Sequence, residues 1–352
     1  MNKSGKVLIF FGLFWSGMTL MFDGFTVVPA VRQVLAQRFV ATAGTVRSSE
    51  VTHQEDSDGD THGVRISYAY TVAGREYVSD RYRYGNFSSS DCGWANQAVG
   101  ENPPGKPVTA FYNPRAPDEA LLQPGLAGSD LFMLMFMTPF NAVMLALWVA
   151  GWNQARRRWH HPPAGGVKLA TNLRQTRARM TEFSPLGAGL AAIALLAFLG
   201  IFVVAFGFGG FHPPLRVALV AWGVVLIGGL TAAAWHWKNL LAGKHDLVID
   251  TLNGTIQLPR TFKRTTVRRL ALTEIHGAFV ETLAKTDGEG STTYTYAPTL
   301  RLVGPDGPTE RLAAWHDEEK ARAFVAWFNK ELGPRPSIYL AQQQAMNPPL
   351  AR

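Results

Sequence analysis

The chain has 352 residues with a net charge of +8, and 47% of it is hydrophobic against 17% charged. That length allows two or three domains. A single cysteine, Cys92, excludes a disulfide framework within the chain. The charge is no nucleic-acid signal, because the basic residues gather beside apolar runs rather than on one polar domain.

Residues 1–28 read as a first transmembrane helix. Lys3 and Lys6 precede an apolar run that extends past the usual 7–15 residues of a secretory signal, and the only cleavage-like site is a weak Val28-Pro29-Ala30. A retained helix is therefore expected, with a cleaved signal as the alternative. Asp23 lies near the predicted outer end of this helix, beside Gly24, where a carboxylate reaches the interface at low cost.

Residues 29–129 are expected to form a small extracytoplasmic β-sandwich or barrel of about five strands. "TAGTVRSSEVTH" and "GVRISYAYTVAGREYVSDRYRY" are rich in Val, Ile, Tyr and Thr with near-alternation. Ala73-Gly74 is a turn signal, Pro103-Pro104-Gly105 opens the strand "KPVTAFY", and Asn113-Pro114 turns it back into "EALLQ". "SDCGWANQAV" reads as a short helix. In "EDSDGDTHG" (55–63), Asp56, Asp58 and Asp60 alternate as Ca²⁺ ligands can, but the glycine stands fourth and Ser67 occupies the twelfth position. A solvated hairpin tip is the simpler reading.

The apolar helix, "TAGTV" at 42–46, "ISYAYTVAGREYVSDR" at 66–81 and "PPGKPVTAFYNPRAPDEALLQPG" at 103–125, followed by a second apolar helix, together resemble domain-of-unknown-function family 3592 of membrane proteins over residues 7–151. The resemblance implies a membrane-tethered β-module and brings no catalytic residues with it.

A second transmembrane helix is expected at 130–152, a basic loop at 153–185, a third helix at 186–208 and a fourth at 215–237. Each apolar run is about twenty residues, enough for roughly 30 Å of hydrocarbon. The loop carries Arg156, Arg157, Arg158, Lys168, Arg174, Arg177 and Arg179 against Glu182. His160 and His161 lie among these arginines with no carboxylate or cysteine close enough in sequence to complete a metal set. In the fourth helix the pairs Gly228/Ala232 and Gly229/Ala233 allow close helix approach, read as packing within the chain.

Residues 240–335 read as a second β-rich domain. "DLVIDTLNGTIQL" is a hairpin around Asn253-Gly254. "RRLALTEIHGAFVETL" gives a further strand, and "TYTYAPTLRLVGPDGPTERLAAW" gives two around Asp306-Gly307. "DEEKARAFVAWFNKEL" is an amphipathic helix with Ala321, Phe324, Val325 and Phe328 at helical spacing and Asp317 as N-cap. His316, Asp317 and Glu318 fit this helix start better than a catalytic trio. Strands closed by one helix resemble the pleckstrin-homology-like domains of bacterial membrane proteins, in element order. Residues 336–352 show no sustained period and read as a disordered tail. In "PRTFKRTTVRRL", Arg260, Lys263, Arg264, Arg268 and Arg269 are candidate lipid-contact residues, the bland reading being a solvated hairpin.

Lys and Arg near helix ends place 1–6, 153–185 and everything after 237 inside, and 29–129 outside. Trp148, Trp152 and Trp159, and Trp235 and Trp237, mark the inner borders. The fold class is thus membrane α + β: four transmembrane helices, an extracytoplasmic β-module between the first two, and a cytoplasmic β-rich domain closed by a C-terminal helix. The expected protein is a non-enzymatic, multi-pass protein of the bacterial cytoplasmic (inner) membrane with both termini in the cytoplasm. Its expected partners are membrane lipids and an envelope protein, with no nucleic acid, cofactor or metal. The sequence carries no Walker loop, G-x-S-x-G, H-E-x-x-H or Cys-x-x-Cys. An accessory subunit of a transporter or channel, and a membrane enzyme with an unrecognised site, are the alternatives.

Overall fold

The computed structural model describes residues 3–54, 61–85, 88, 92–160, 163–172, 174–181, 183–208, 210–261, 264–286, 292–303 and 307–333. The acidic tip with Asp56, Asp58 and Asp60, together with His161, Lys263 and the tail 336–352, lies outside them. There are two compact units, Met1–Gly151 with Pro185–Ala234, and Trp152–Ser184 with Trp235–Arg352.

Four helices, lying mostly in the first unit, are long and apolar enough to cross a membrane: Ile9–Arg38, Gly128–Trp152, Pro185–Gly207 and Leu215–Leu241. They belong to α1 (Lys3–Leu35), α3 (Gly128–His160), α4 (Pro185–Gly207) and α5 (Leu215–Leu241). α1 continues past the expected end at 28, through Pro29. Its last two turns carry Arg32 and Gln33, so helix continues after the apolar run stops. α1 and α3 meet through polar groups: Trp15 donates to Phe140 O at 3.1 Å, Trp148 to Ser16 Oγ at 2.9 Å, and Asn141 Nδ2 to Asp23 Oδ1 at 3.0 Å. Asp23 therefore has a partner on the neighbouring helix. Phe132, Met135, Ala197, Ile201, Val204 and Val225 form the core of α3, α4 and α5. A Cβ on Gly229 would lie 2.3 Å from Ile193 Cγ1, and one on Gly189 3.1 Å from Gly229 O, so the small residues of α5 face α4.

Between α1 and α3 runs one antiparallel sheet, ordered β3-β2-β1-β4-β5. Its strands are β1 (Val40–Gln54), β2 (Thr61–Val72), β3 (Arg75–Ser79), β4 (Pro107–Asn113) and β5 (Ala116–Leu121). Ala73 and Gly74 both have positive φ, 48° and 80°, as a two-residue hairpin turn of matching twist requires. The two edges approach each other: Ser79 Oγ donates to Ala120 O at 3.1 Å, and Leu122 N to Tyr82 O at 3.1 Å. Val64, Ile66, Tyr68 and Tyr70 alternate onto the concave face, where α2 (Gly93–Glu101) covers them with Ala95 and Ala98. Burying a side chain such as Ile66, which is fully enclosed, contributes about 1.5–3 kcal/mol.

The second unit differs from the expected boundaries. A five-stranded sheet runs β10-β9-β8-β7-β6. Its β6 (Lys168–Thr171) and β7 (Gln175–Arg179) come from the segment read as a basic loop, ahead of α4. They pair with β8 (Asp246–Asp250), which turns at Gly254 into β9 (Thr255–Leu258) and then β10 (Arg268–Ala271). β11 (Ile275–Thr286), β12 (Thr292–Leu302) and β13 (Thr309–Arg311) form a second sheet. α6 (Glu318–Leu332) closes the unit. Asp317 caps α6 by accepting from Lys320 N at 3.0 Å. Ala321, Phe324 and Phe328 are buried against Leu247, Ile249, Leu300 and Trp315, whereas Val325 is only half-buried.

Candidate functional site

The strand register of the second unit sorts its charges by end. β7 ends at Arg179 six residues before α4 begins, and β8 starts at Asp246 five residues after α5 stops. Lys168, Arg179 and Asp246 are cross-strand partners in one row. Arg260 N donates to Lys244 O at 2.8 Å, and Arg268 pairs with Leu258, so these three basic residues belong to that same end. Exposed Lys238, in the last turns of α5, adds another charge. The opposite end holds the carboxylates of Asp250 and Glu274. Asp250 accepts from Asn253 N–H and side chain and from Gln175, which hold its carboxyl below the usual range.

The five basic residues singled out by sequence separate within this geometry. Arg264 is turned inward. Its guanidinium donates to Pro259 O at 2.8 and 2.9 Å and to Glu310 at 2.7 Å, and burial lowers its pKa. It is thereby committed to holding the β9–β10 connection against β13. Arg268 is exposed but shares Glu310. Arg260 is half-exposed and Arg269 exposed; neither has a carboxylate partner among the described residues. Lys263 lies outside those residues. Lys168, Arg179, Lys238 and Lys244 were missed. The signal for them was position, since each flanks the point where β-pattern gives way to a long apolar run. Close by, burial and then the neighbouring His236 and Arg260 lower the pKa of His245.

The first unit has a different kind of site. Gln33, fully buried on α1, donates Nε2 to Gln123 O at 2.8 Å and to Gly125 O at 2.7 Å, and its Oε1 accepts from Tyr84 N at 3.1 Å. Arg83 forms a buried ion pair with Asp130 at the start of α3. Arg83 also lines a cavity of about 200 Å³, together with Tyr82, Trp94, Gln97, Glu101 and His212 among others. Trp94 stacks on His212 of the α4–α5 turn with ring centroids 4.0 Å apart. The Trp94 indole N–H is buried and has no acceptor among the described residues.

Among the described residues, no group of three or more His, Cys, Asp or Glu side chains converges as a metal site. Residues 42–127 match the family model described as Domain of unknown function (DUF3592). That segment, β1 through the approach to α3, is therefore a DUF3592 domain. No curated protein and no solved structure matches the chain.

Proposed function

We propose that the protein is a non-enzymatic, multi-pass adaptor of the bacterial inner membrane with both termini cytoplasmic. Its β1–β5 module binds or senses an envelope partner outside, and its β6–β13 domain rests on anionic lipid inside. The basic end of the second domain carries this reading. Arg179 and Lys244 lie in the short links from β7 to α4 and from α5 to β8, and the other cations share their end of the sheet, which brings that end toward the headgroups. Each such charge contributes about 1 kcal/mol near an anionic leaflet. The order of elements is also compatible with a pleckstrin-homology-like arrangement carrying one extra edge strand: the five-strand meander β6–β10 with α4–α5 inserted between β7 and β8, three further strands, then a closing helix.

Hydrogen exchange on the whole protein in nanodiscs tests lipid docking. Amides of 257–261 and 264–271 are expected to be better protected in anionic than in neutral discs, and the difference should shrink at high salt. Replacing Lys168, Arg260 and Arg269 by Gln should abolish it while leaving α6 protection unchanged. Equal protection in both lipids overturns docking and leaves a protein partner for that end. Cys92 is exposed, and an impermeant maleimide should reach it without lysis of the inner membrane; labelling only after lysis reverses the orientation.

A further inference from the structure

One pair before the last described pair of the β1–β2 hairpin, Gln54/Thr61, two histidines face each other. His53 and His62 are partners in the register, and their Nδ1 atoms lie 2.9 Å apart. The rings meet edge to face, with centroids 4.8 Å apart and an interplanar angle of 87°. Val51/Val64 and Ser49/Ile66 precede them on the same face of the two strands, so the pair continues the concave row beyond its apolar part. Each strand fixes its own Cβ, and among the described residues neither imidazole has a competing side-chain partner.

We propose that His53 and His62 form a two-imidazole clip for a late first-row divalent metal, Zn²⁺ foremost. Two nitrogens aimed at one point can share a single proton, as Nδ1–H donating to Nδ1. They can equally share a cation. Zn–N bonds of about 2.0–2.1 Å in a tetrahedral site set the two nitrogens about 3.3 Å apart. The observed pair therefore needs to open by only about 0.4 Å, within reach of small side-chain rotations. On binding, the one Nδ1 proton moves through solvent to that ring's Nε2. Both rings stay neutral, each with Nε2–H, and no proton is released from the neutral pair. Imidazole donors select Zn²⁺, Ni²⁺ and Cu²⁺ over Ca²⁺ and Mg²⁺, and Cu²⁺ binds tightest of the series. Two protein donors leave the remaining positions to water, so the site is open to a further ligand from a partner. Arg65 and Glu50, paired with each other at 3.5 Å, are the nearest charges along the strands toward the base of the hairpin.

Titration of the untagged whole protein in nanodiscs with Zn²⁺, followed calorimetrically, and with Cu²⁺, followed by electron paramagnetic resonance, tests the clip. Wild type should bind one Zn²⁺ per chain at pH 7.5 and ignore millimolar Ca²⁺. The Cu²⁺ spectrum should show coupling to two imidazole nitrogens. His53→Ala and His62→Ala should each weaken binding at least about tenfold, with the hairpin intact by exchange of the Val51 and Val64 amides. Binding should weaken on acidification, because protons compete with the metal for the same ring nitrogens. A triple Asp56→Asn, Asp58→Asn, Asp60→Asn variant should keep the two-nitrogen spectrum. Zn²⁺ binding that survives both histidine variants, or disappears only in the Asn variant, overturns the clip and moves the site to the carboxylates. No saturable binding in wild type overturns it as well.

Discussion

Gln33→Ala is the sharpest test of how the first β-module is held to its helices. The side chain is fully buried and makes three hydrogen bonds to backbone groups of residues 84, 123 and 125. Alanine removes all three at once. A buried backbone group left without a partner costs about 1–3 kcal/mol. Tyr84 is buried and bears that cost in full. Gln123 and Gly125 are more open to water, so their carbonyls recover part of theirs. The sum is about 2–4 kcal/mol for opening the contact locally. The Tyr84 amide reports it directly, because its acceptor is the Gln33 carbonyl oxygen. At about 1.4 kcal/mol per factor of ten, exchange protection there should fall between about 30-fold and 1,000-fold. Amides of β2, paired on both sides within the sheet, should keep theirs. Tyr84 protection within about threefold of wild type would refute the clamp.

Glu119 accepts from Tyr84 Oη and from Asn113 Nδ2 at 2.7 Å, and these bonds hold its carboxyl below the ordinary range. Their contribution is complete above the unfolded value near 4.5 and is lost as pH falls through the lower folded value. The thermal midpoint of the purified protein should therefore drop on acidification below about pH 4.5, and Glu119→Gln should flatten that limb. Tyr84 itself is pushed up to about 12, chiefly by burial and then by the same Glu119 bond, so it stays a donor at physiological pH. Arg264→Gln should lower the midpoint markedly, leaving the carbonyls of Pro259 and Arg311 and one oxygen of Glu310 without their guanidinium at about 2–4 kcal/mol. Arg269→Gln should change stability by less than about 0.5 kcal/mol.

Local signals in the sequence carried much of this architecture. Apolar runs alone locate the four long helices. Ala73-Gly74 and Asn253-Gly254 place two hairpins, because a two-residue turn with positive φ leaves few alternatives. β6 and β7 were illegible for the opposite reason. They are four and five residues long, heavily charged, and pair with β8, which lies beyond two long helices. The inward turn of Arg264 depends on Glu310 in β13, another long-range fact. The meeting of His53 and His62 depends on the hairpin register, which no local signal in the sequence fixes. Gln33 carries no local signal, because its three backbone partners lie 51 to 92 residues away in the chain.

β7 and β8 are hydrogen-bonded neighbours, yet α4 and α5 lie between them in the chain. The second sheet can close only if both strands reach the same compartment, which requires the intervening helices to cross the membrane together or both to fail. A ribosome delivers β6 and β7 first, so this half-sheet waits with an open edge while the helical hairpin is inserted. The pairing of β7 with β8 is therefore compatible only with an even number of membrane crossings between them.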